Sequence, residues 1–300
     1  MKKLITGGEG LIGSEFIDGI KISRKDFDLT NIEQVKKMFQ EHKPDFVIHT
    51  AAKVGGVLAN MNYKGDFFYE NIMMNTNVIH EAKNHGVKKL IAFLSTCIFP
   101  DKVEYPLNET KIHLGPPHIS NDAYAYAKRM SQVQISSYNE QYGTKYFCVI
   151  PTNVYGPKDN YNLENSHVLP AIIHKCYLAK KHNIELELWG DGSPLREFIF
   201  SRDVAKICDE LITNYNETEP VILSTSDEIS IKDVAEQVTK IMGYKKPIKW
   251  DTSKPSGQFR KPSDNSKLKL ILPNFKFTPL SDGLEETIEY FVKNYETVRK

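Results

Sequence analysis

Lys3-Leu4-Ile5-Thr6-Gly7-Gly8-Glu9-Gly10-Leu11-Ile12-Gly13 decides the fold. The apolar run that begins it reads as a buried strand, and it breaks into glycines spaced GxxGxxG at Gly7, Gly10 and Gly13. A strand that turns on such residues into a helix lets backbone amides approach a pyrophosphate, whose charge the helix N-terminus favours. The glycine pattern alone is weak; its place one strand into the chain makes it specific, and Leu11 and Ile12 belong to the same cofactor-facing loop. Only Leu11–Gly19 is available for the helix, with Ile20–Ser23 as the second strand, so this connection is unusually tight.

Outward from that loop, short apolar runs alternate with longer amphipathic ones, which predicts β-α units on a parallel sheet. Phe46–Thr50, Lys89–Ser95 and Lys145–Ile150 read as further buried strands. Helices are expected from Thr30, where Glu33 completes a capping box, over roughly Asp66–Asn84, and over roughly Asp122–Tyr142. After Pro151 the pattern loosens. Trp189–Gly192 is turn-rich, Arg196–Phe200 extended, Asp203–Leu211 helical, and Pro220–Ser224 one more strand of the large sheet. Ser230–Met242 and about Leu280–Tyr295 read as amphipathic helices. The expected fold is a Rossmann-like, doubly wound α/β sheet over residues 1–157 with a return segment 202–224. A smaller α/β substrate lobe over 158–201 and 225–300 then closes a cleft at the carboxyl ends of the strands.

In the 300-residue chain, 39 basic side chains nearly balance 38 acidic ones, which argues against a nucleic-acid surface. No apolar run approaches the roughly 20 residues that cross a bilayer, and a core strand at the start leaves no room for a signal peptide. Cys97, Cys148, Cys176 and Cys208 lack metal-ligand spacing, so reduced thiols in a cytoplasmic enzyme are expected.

The end of the second strand selects the cofactor. An acidic residue there binds ribose hydroxyls and repels a 2′-phosphate; Ser23-Arg24-Lys25 offers a hydroxyl and two cations, which favours NADP(H). Asp28-Leu29 is expected to border the adenine, and Ala51-Ala52-Lys53 to wall the cofactor. Downstream, Tyr124-Ala125-Tyr126-Ala127-Lys128 sets Tyr124 and Lys128 on one helix face. A neighbouring ammonium lowers a tyrosine's pKa from about 10, the same lysine can hold the nicotinamide ribose, and Ser95 can share a substrate carbonyl with the tyrosine. Tyr126 is the wrong register, because Met130 follows it by four residues.

These features together resemble the extended short-chain dehydrogenase/reductases. Longer strings resemble one family within them, the GDP-L-fucose synthases. They are His49-Thr50-Ala51-Ala52-Lys53-Val54-Gly55-Gly56, Ser95-Thr96-Cys97-Ile98-Phe99-Pro100, Pro151-Thr152-Asn153-Val154-Tyr155-Gly156-Pro157 and Asn165-Ser166-His167-Val168-Leu169-Pro170. Trp189-Gly190 through Arg196-Glu197-Phe198 and Ser256-Gly257-Gln258-Phe259-Arg260-Lys261 complete the set. The segment between Gly13 and Ser23 is shorter than the family leads one to expect. The resemblance implies GDP-4-keto-6-deoxy-D-mannose as substrate, 3,5-epimerisation, NADPH-dependent reduction at C4 and a homodimer. It implies Cys97 and His167 as the epimerisation pair, with His167 also near the cofactor. Asn153, Lys175, Trp189, Arg196 and Lys261 are implied around the sugar nucleotide. A C4 ketone acidifies C3 and C5, so an acid and a base on opposite faces can invert each centre. The rival readings are a 5-epimerase/4-reductase of the colitose type, a UDP-sugar 4-epimerase or 4,6-dehydratase, and a non-catalytic NADP(H)-binding scaffold. Thr96-Cys97 stands where dehydratases carry an acidic pair, and Tyr124 with Lys128 argues against the scaffold.

Overall fold

The computed structural model describes residues 2–254 and 258–300; Ser256 and Gly257, quoted above, lie outside them. In chain order the first part comprises β1 (Lys3–Thr6), β2 (Ile20–Ile22), α1 (Ile32–His42), β3 (Phe46–His49), α2 (Val57–Asn62) and α3 (Lys64–Asn84). It continues with β4 (Lys89–Phe93), α4 (Asp122–Tyr142) and β5 (Lys145–Pro151). The second part comprises β6 (Asn153–Tyr155), α5 (Val168–His182), β7 (Leu186–Trp189), β8 (Leu195–Phe200), α6 (Ser201–Asn214) and β9 (Val221–Leu223). After these come β10 (Glu228–Ser230), α7 (Ile231–Met242), β11 (Ile248–Asp251), α8 (Ser266–Ile271) and α9 (Leu280–Lys293).

The large sheet runs β2-β1-β3-β4-β5-β9, with every neighbour parallel. Its strands are apolar on both faces because both are covered. Val35, Met38, Phe39, Val78, Ile79, Ala82 and Ile135, from α1, α3 and α4, seal one face. Val204, Ile207, Cys208 and Leu211 of α6 seal the other, with Phe16 from the β1–β2 connection. A separate core joins α5, α7 and α9 to the small sheets β10-β8-β6 and β11-β7.

Three local expectations are corrected. Leu11–Gly19 holds no α-helix, only a 3-10 turn at Gly13–Glu15. Phe16, 1% exposed, already fills the sheet face at that point, and Gly19 at φ +121° turns the chain into β2. Thr30 is not the cap of α1. Its hydroxyl donates to Asp28, while Asn31 caps the helix by accepting from the Glu33 and Gln34 amides. β4 stops at Phe93 and β3 at His49, so Ser95 and Thr50 lie just past their strands. α4 matches its expected span, ending where Gly143 takes φ +69°.

Candidate active site

The chain passes from β1 to β2 on one side and later returns to β3 on the other. The carboxyl ends of β1 and β3 therefore flank a crevice at the point where the strand order reverses. The glycine loop sits there. Gly7 has φ +71°, and a Cβ on it would stand 2.8 Å from the Ala51 nitrogen. A Cβ on Gly13 would lie 2.2 Å from the Gly7 carbonyl oxygen, so the loop closes only without side chains at both positions. The Gly10 amide donates to the Gly7 carbonyl at 2.9 Å. Leu11 and Ile12 are half-buried, and Ile12 packs under the sheet. With no α-helix behind the loop, a pyrophosphate would meet loop amides without a long helix dipole.

The adenosine end is more mixed than expected. Arg24 and Lys25 are exposed at the end of β2, with Glu70 3.5 Å from Arg24 and Glu9 3.4 Å from Lys25. Glu70 also pairs with Lys53 at 2.6 Å, and Asn71 clamps the Lys53 backbone from both sides. Asp28 is held low by hydrogen bonds from Thr30. Leu29 is 6% exposed, its side chain belongs to the core, and its carbonyl accepts from Asn77. Ala51 and Ala52 are half-buried beside the glycine loop. Beneath them, His49 bridges Thr6 (2.7 Å) and Asn75 (2.9 Å), a buried tie the strand pattern alone does not reveal. Burial and the Lys128 charge push this imidazole down to about 3, so it is a neutral strut.

Ser95 opens a short 3-10 turn, Thr96–Ile98, and its hydroxyl accepts from the Cys97 amide at 3.4 Å. This turn packs against α4, which carries Tyr124 and Lys128 and is pinned there by Arg129 donating to the Ile98 carbonyl. Tyr124, Lys128 and Lys261 each lie within electrostatic reach of Cys97. Burial raises the Cys97 thiol; Ser95, Lys261 and Lys128 oppose that rise. The expected lowering of Tyr124 is corrected: burial and the Cys97 charge raise its phenol. Burial pushes Lys128, 1% exposed, down to about 8. For both groups the loss of water is the largest cause, since burial disfavours the charged form of each. Cys148, Cys176 and Cys208 are core thiols, as expected.

His167 caps α5 without a side-chain cap bond, and its loop docks on the loop after β3. The Gly56 amide donates to the Asn165 carbonyl at 2.8 Å, and a Cβ on Gly56 would stand 2.6 Å from the Ser166 oxygen. The imidazole is open to solvent yet crowded enough that burial, then Arg299, hold its pKa below the ordinary value. Arg196 and Lys261 lie together, near Tyr105, Asp101 and Cys97. Asn153 donates to the Glu197 carbonyl at 2.8 Å. Lys175 and the exposed Trp189 form a second group, with the ammonium 5.2 Å from the ring centroid and 3.2 Å from the Glu187 carbonyl. Among the described residues no cluster suited to a metal ion occurs, and no helix is long and apolar enough to cross a membrane.

Residues 3–223 match the NAD dependent epimerase/dehydratase family. GDP-L-fucose synthase of Dictyostelium discoideum is 48% identical over 99% of this chain and 97% of its own length. GDP-L-colitose synthase of Yersinia pseudotuberculosis is 32% identical over 97% and 98%. The crystal structure of a GDP-L-fucose synthetase from Naegleria fowleri bound to NADP superposes with a TM-score of 0.94 at 42% identity, over 99% of this chain and 94% of that one. A tyrosine-lysine pair beside a serine and a cysteine, behind a glycine loop at the sheet's reversal point, thus accompanies likeness over nearly the full length: the chain belongs to the GDP-L-fucose synthases of the NAD dependent epimerase/dehydratase family.

Proposed function

We propose that the chain converts GDP-4-keto-6-deoxy-D-mannose to GDP-L-fucose, by 3,5-epimerisation followed by NADP(H)-dependent reduction at C4. The observation that carries this reading is Cys97 inside the Ser95, Tyr124 and Lys128 cluster, since a plain reductase has no use for a thiol there. The glycine loop fits a dinucleotide, since its turns exclude side chains; in this reading Lys128 holds the nicotinamide ribose. Arg24 and Lys25 suit a 2′-phosphate, Asp28, Ala51, Ala52 and Lys53 border the cofactor, and NADPH, when bound, supplies the hydride for C4.

The chain's own groups do the rest. Ser95 and Tyr124 donate hydrogen bonds to the C4 oxygen, which stabilises the enolate formed when a proton leaves C3 or C5. His167 starts as a neutral imidazole able to accept, and Cys97 as a thiol holding a proton. The pair thus carries one proton between two ring faces, as each inversion requires. In the reduction Tyr124 gives its proton to the C4 oxygen. Burial keeps that proton on the phenol until charge develops on the oxygen, and Lys128 then steadies the phenolate. Arg196 and Lys261 hold the diphosphate, with Asn153, Lys175 and Trp189 along the nucleotide.

The same reading divides the chain into a cofactor lobe, residues 1–157 with 202–224, and a substrate lobe, 158–201 with 225–300. Separate cores support it in part: β6 already lends Tyr155 to the second, while Ile199, Leu268, Ile271 and Phe277 pack into the core of the cofactor sheet. It places the enzyme in the cytoplasm as a homodimer. Tyr126, Met130 and Val133 support the dimer, forming an exposed apolar stripe along α4 suited to a second copy. Incubation with GDP-4-keto-6-deoxy-D-mannose and NADPH tests the function. Stoichiometric NADPH oxidation with GDP-L-fucose by NMR is expected. A product inverted at C5 alone, or turnover without net NADPH loss, would refute it.

A further inference from the structure

Glu197 is a buried carboxylate, 3% exposed, in a chain segment that nothing requires to be acidic. One of its oxygens, Oε1, accepts the Ser263 amide at 3.0 Å. The other, Oε2, accepts the Ser224 hydroxyl at 3.0 Å and the Ser263 hydroxyl. These donors come from distant places. Ser224 follows β9 of the large sheet, and Ser263 lies on the segment after Lys261 that pairs with Leu107. Ser224, Ser263 and Asn265 are themselves buried, with Asn265 donating to the Ser224 carbonyl at 2.9 Å. The carboxylate therefore fastens β8 to the cofactor sheet and to the C-terminal segment at one point.

What flanks this point matters more than the fastening. Arg196 is the preceding residue, Lys261 stands two residues before Ser263, and the Asn153 amide donates to the backbone carbonyl of Glu197 itself. Three of the groups proposed above for the sugar nucleotide thus adjoin one residue, whose buried side chain fixes its place. The two cations repel each other, and Lys261 makes no ion pair among the described residues, so their spacing needs a further constraint. A carboxylate that accepts from three donors supplies a rigid one.

We infer that Glu197 is a positioning residue for substrate recognition: through Ser263, Ser224 and its own carbonyl it sets the spacing of Lys261, Arg196 and Asn153 around the nucleotide diphosphate. It touches neither substrate nor cofactor. The inference rests on the proposed roles of Arg196 and Lys261.

Glu197→Gln keeps the shape but turns an acceptor into a donor facing two hydroxyls, and Ser263→Ala removes one hydroxyl while leaving the Ser263 amide bond. Both should raise the KM for the GDP-sugar by about tenfold, the worth of one weakened bond to a charged group. NADPH affinity and the kcat for reduction should stay within about twofold. In a Lys261→Ala background, Glu197→Gln should add a smaller increase than it does alone, because one of the three groups it places is gone. Fully additive KM effects, or a matching fall in NADPH affinity and thermal stability with KM unchanged, would overturn the inference. Should Lys261→Ala and Arg196→Ala leave KM unaltered, the assignment of those cations fails instead. If Glu197→Gln does not fold, the Ser263→Ala and Lys261→Ala cycle decides in the same way.

Discussion

Lys128 holds its ammonium where almost no water reaches it, and burial lowers its pKa to about 8. The sign follows from which form works. In the proposed mechanism charged Lys128 steadies the phenolate, so C4 reduction should be full below pH 8 and fall as pH rises through that value. The falling limb should appear in kcat/KM, which reports the free enzyme, and should be absent from the residual activity of Lys128→Arg, whose charge persists. An unmoved limb in that variant would assign it elsewhere. Most of this site was legible in the sequence, because a tyrosine four residues before a lysine on a helix fixes a face whatever surrounds it. Their ionisation was not legible. The expected drop in the Tyr124 pKa reversed, because sequence spacing contains no measure of how much water folding removes.

At the scale of elements, the loop after β3 and the loop before α5 depend on each other. Gly55 and Gly56 provide a pad without side chains, onto which Asn165 and Ser166 settle, and His167 is carried with them. Gly56→Ala would place a methyl 2.6 Å from the Ser166 oxygen, so the loop must shift. A displacement of that order should lower proton exchange at C3 and C5 by about ten- to a hundredfold while leaving NADPH binding intact. Equal loss of cofactor affinity, read by fluorescence titration, would show that the pad serves the nicotinamide side instead. The sequence marked both glycines within a family-like string, yet not what they touch. α5 itself was not anticipated: its first turn contains Pro170 and its cap residue makes no side-chain bond, although Leu169, Ile172, Ile173 and Cys176 recur at helical spacing and Asn183 closes it in the left-handed region. The missing helix after the glycine loop has the opposite cause. The motif predicts a helix there, but residues 11–19 must also turn back into β2, and Phe16 takes the place a helix would occupy.

Across the whole molecule, two cores meet along a seam, and folding takes polar groups beside them out of water. Asp159 is the plainest case. It is 5% exposed, one oxygen accepts only from the neighbouring Asn160 amide, the other finds no partner, and burial raises its pKa to about 7. A carboxyl whose pKa is higher in the fold contributes nothing adverse below about pH 4, and costs stability as pH rises through 7. Asp159→Asn should therefore raise the unfolding temperature at pH 8 by several degrees, at about 2–4 °C per kcal/mol, and leave it unchanged at pH 4. A drop at both values in calorimetry would mean that the charge is satisfied in the native state. The seam also carries the central claim, that a thiol on the cofactor side and an imidazole brought from the other lobe work on one ketone-activated ring. Deuterium incorporation from D2O tests it most directly. With GDP-4-keto-6-deoxy-D-mannose and NADPH, the unaltered protein should yield GDP-L-fucose labelled at C3 and C5. Cys97→Ser should bind NADPH equally well but form no GDP-L-fucose, because the proton that inverts each centre has lost its donor, whereas undiminished formation of GDP-L-fucose labelled at both carbons in that variant would contradict the account.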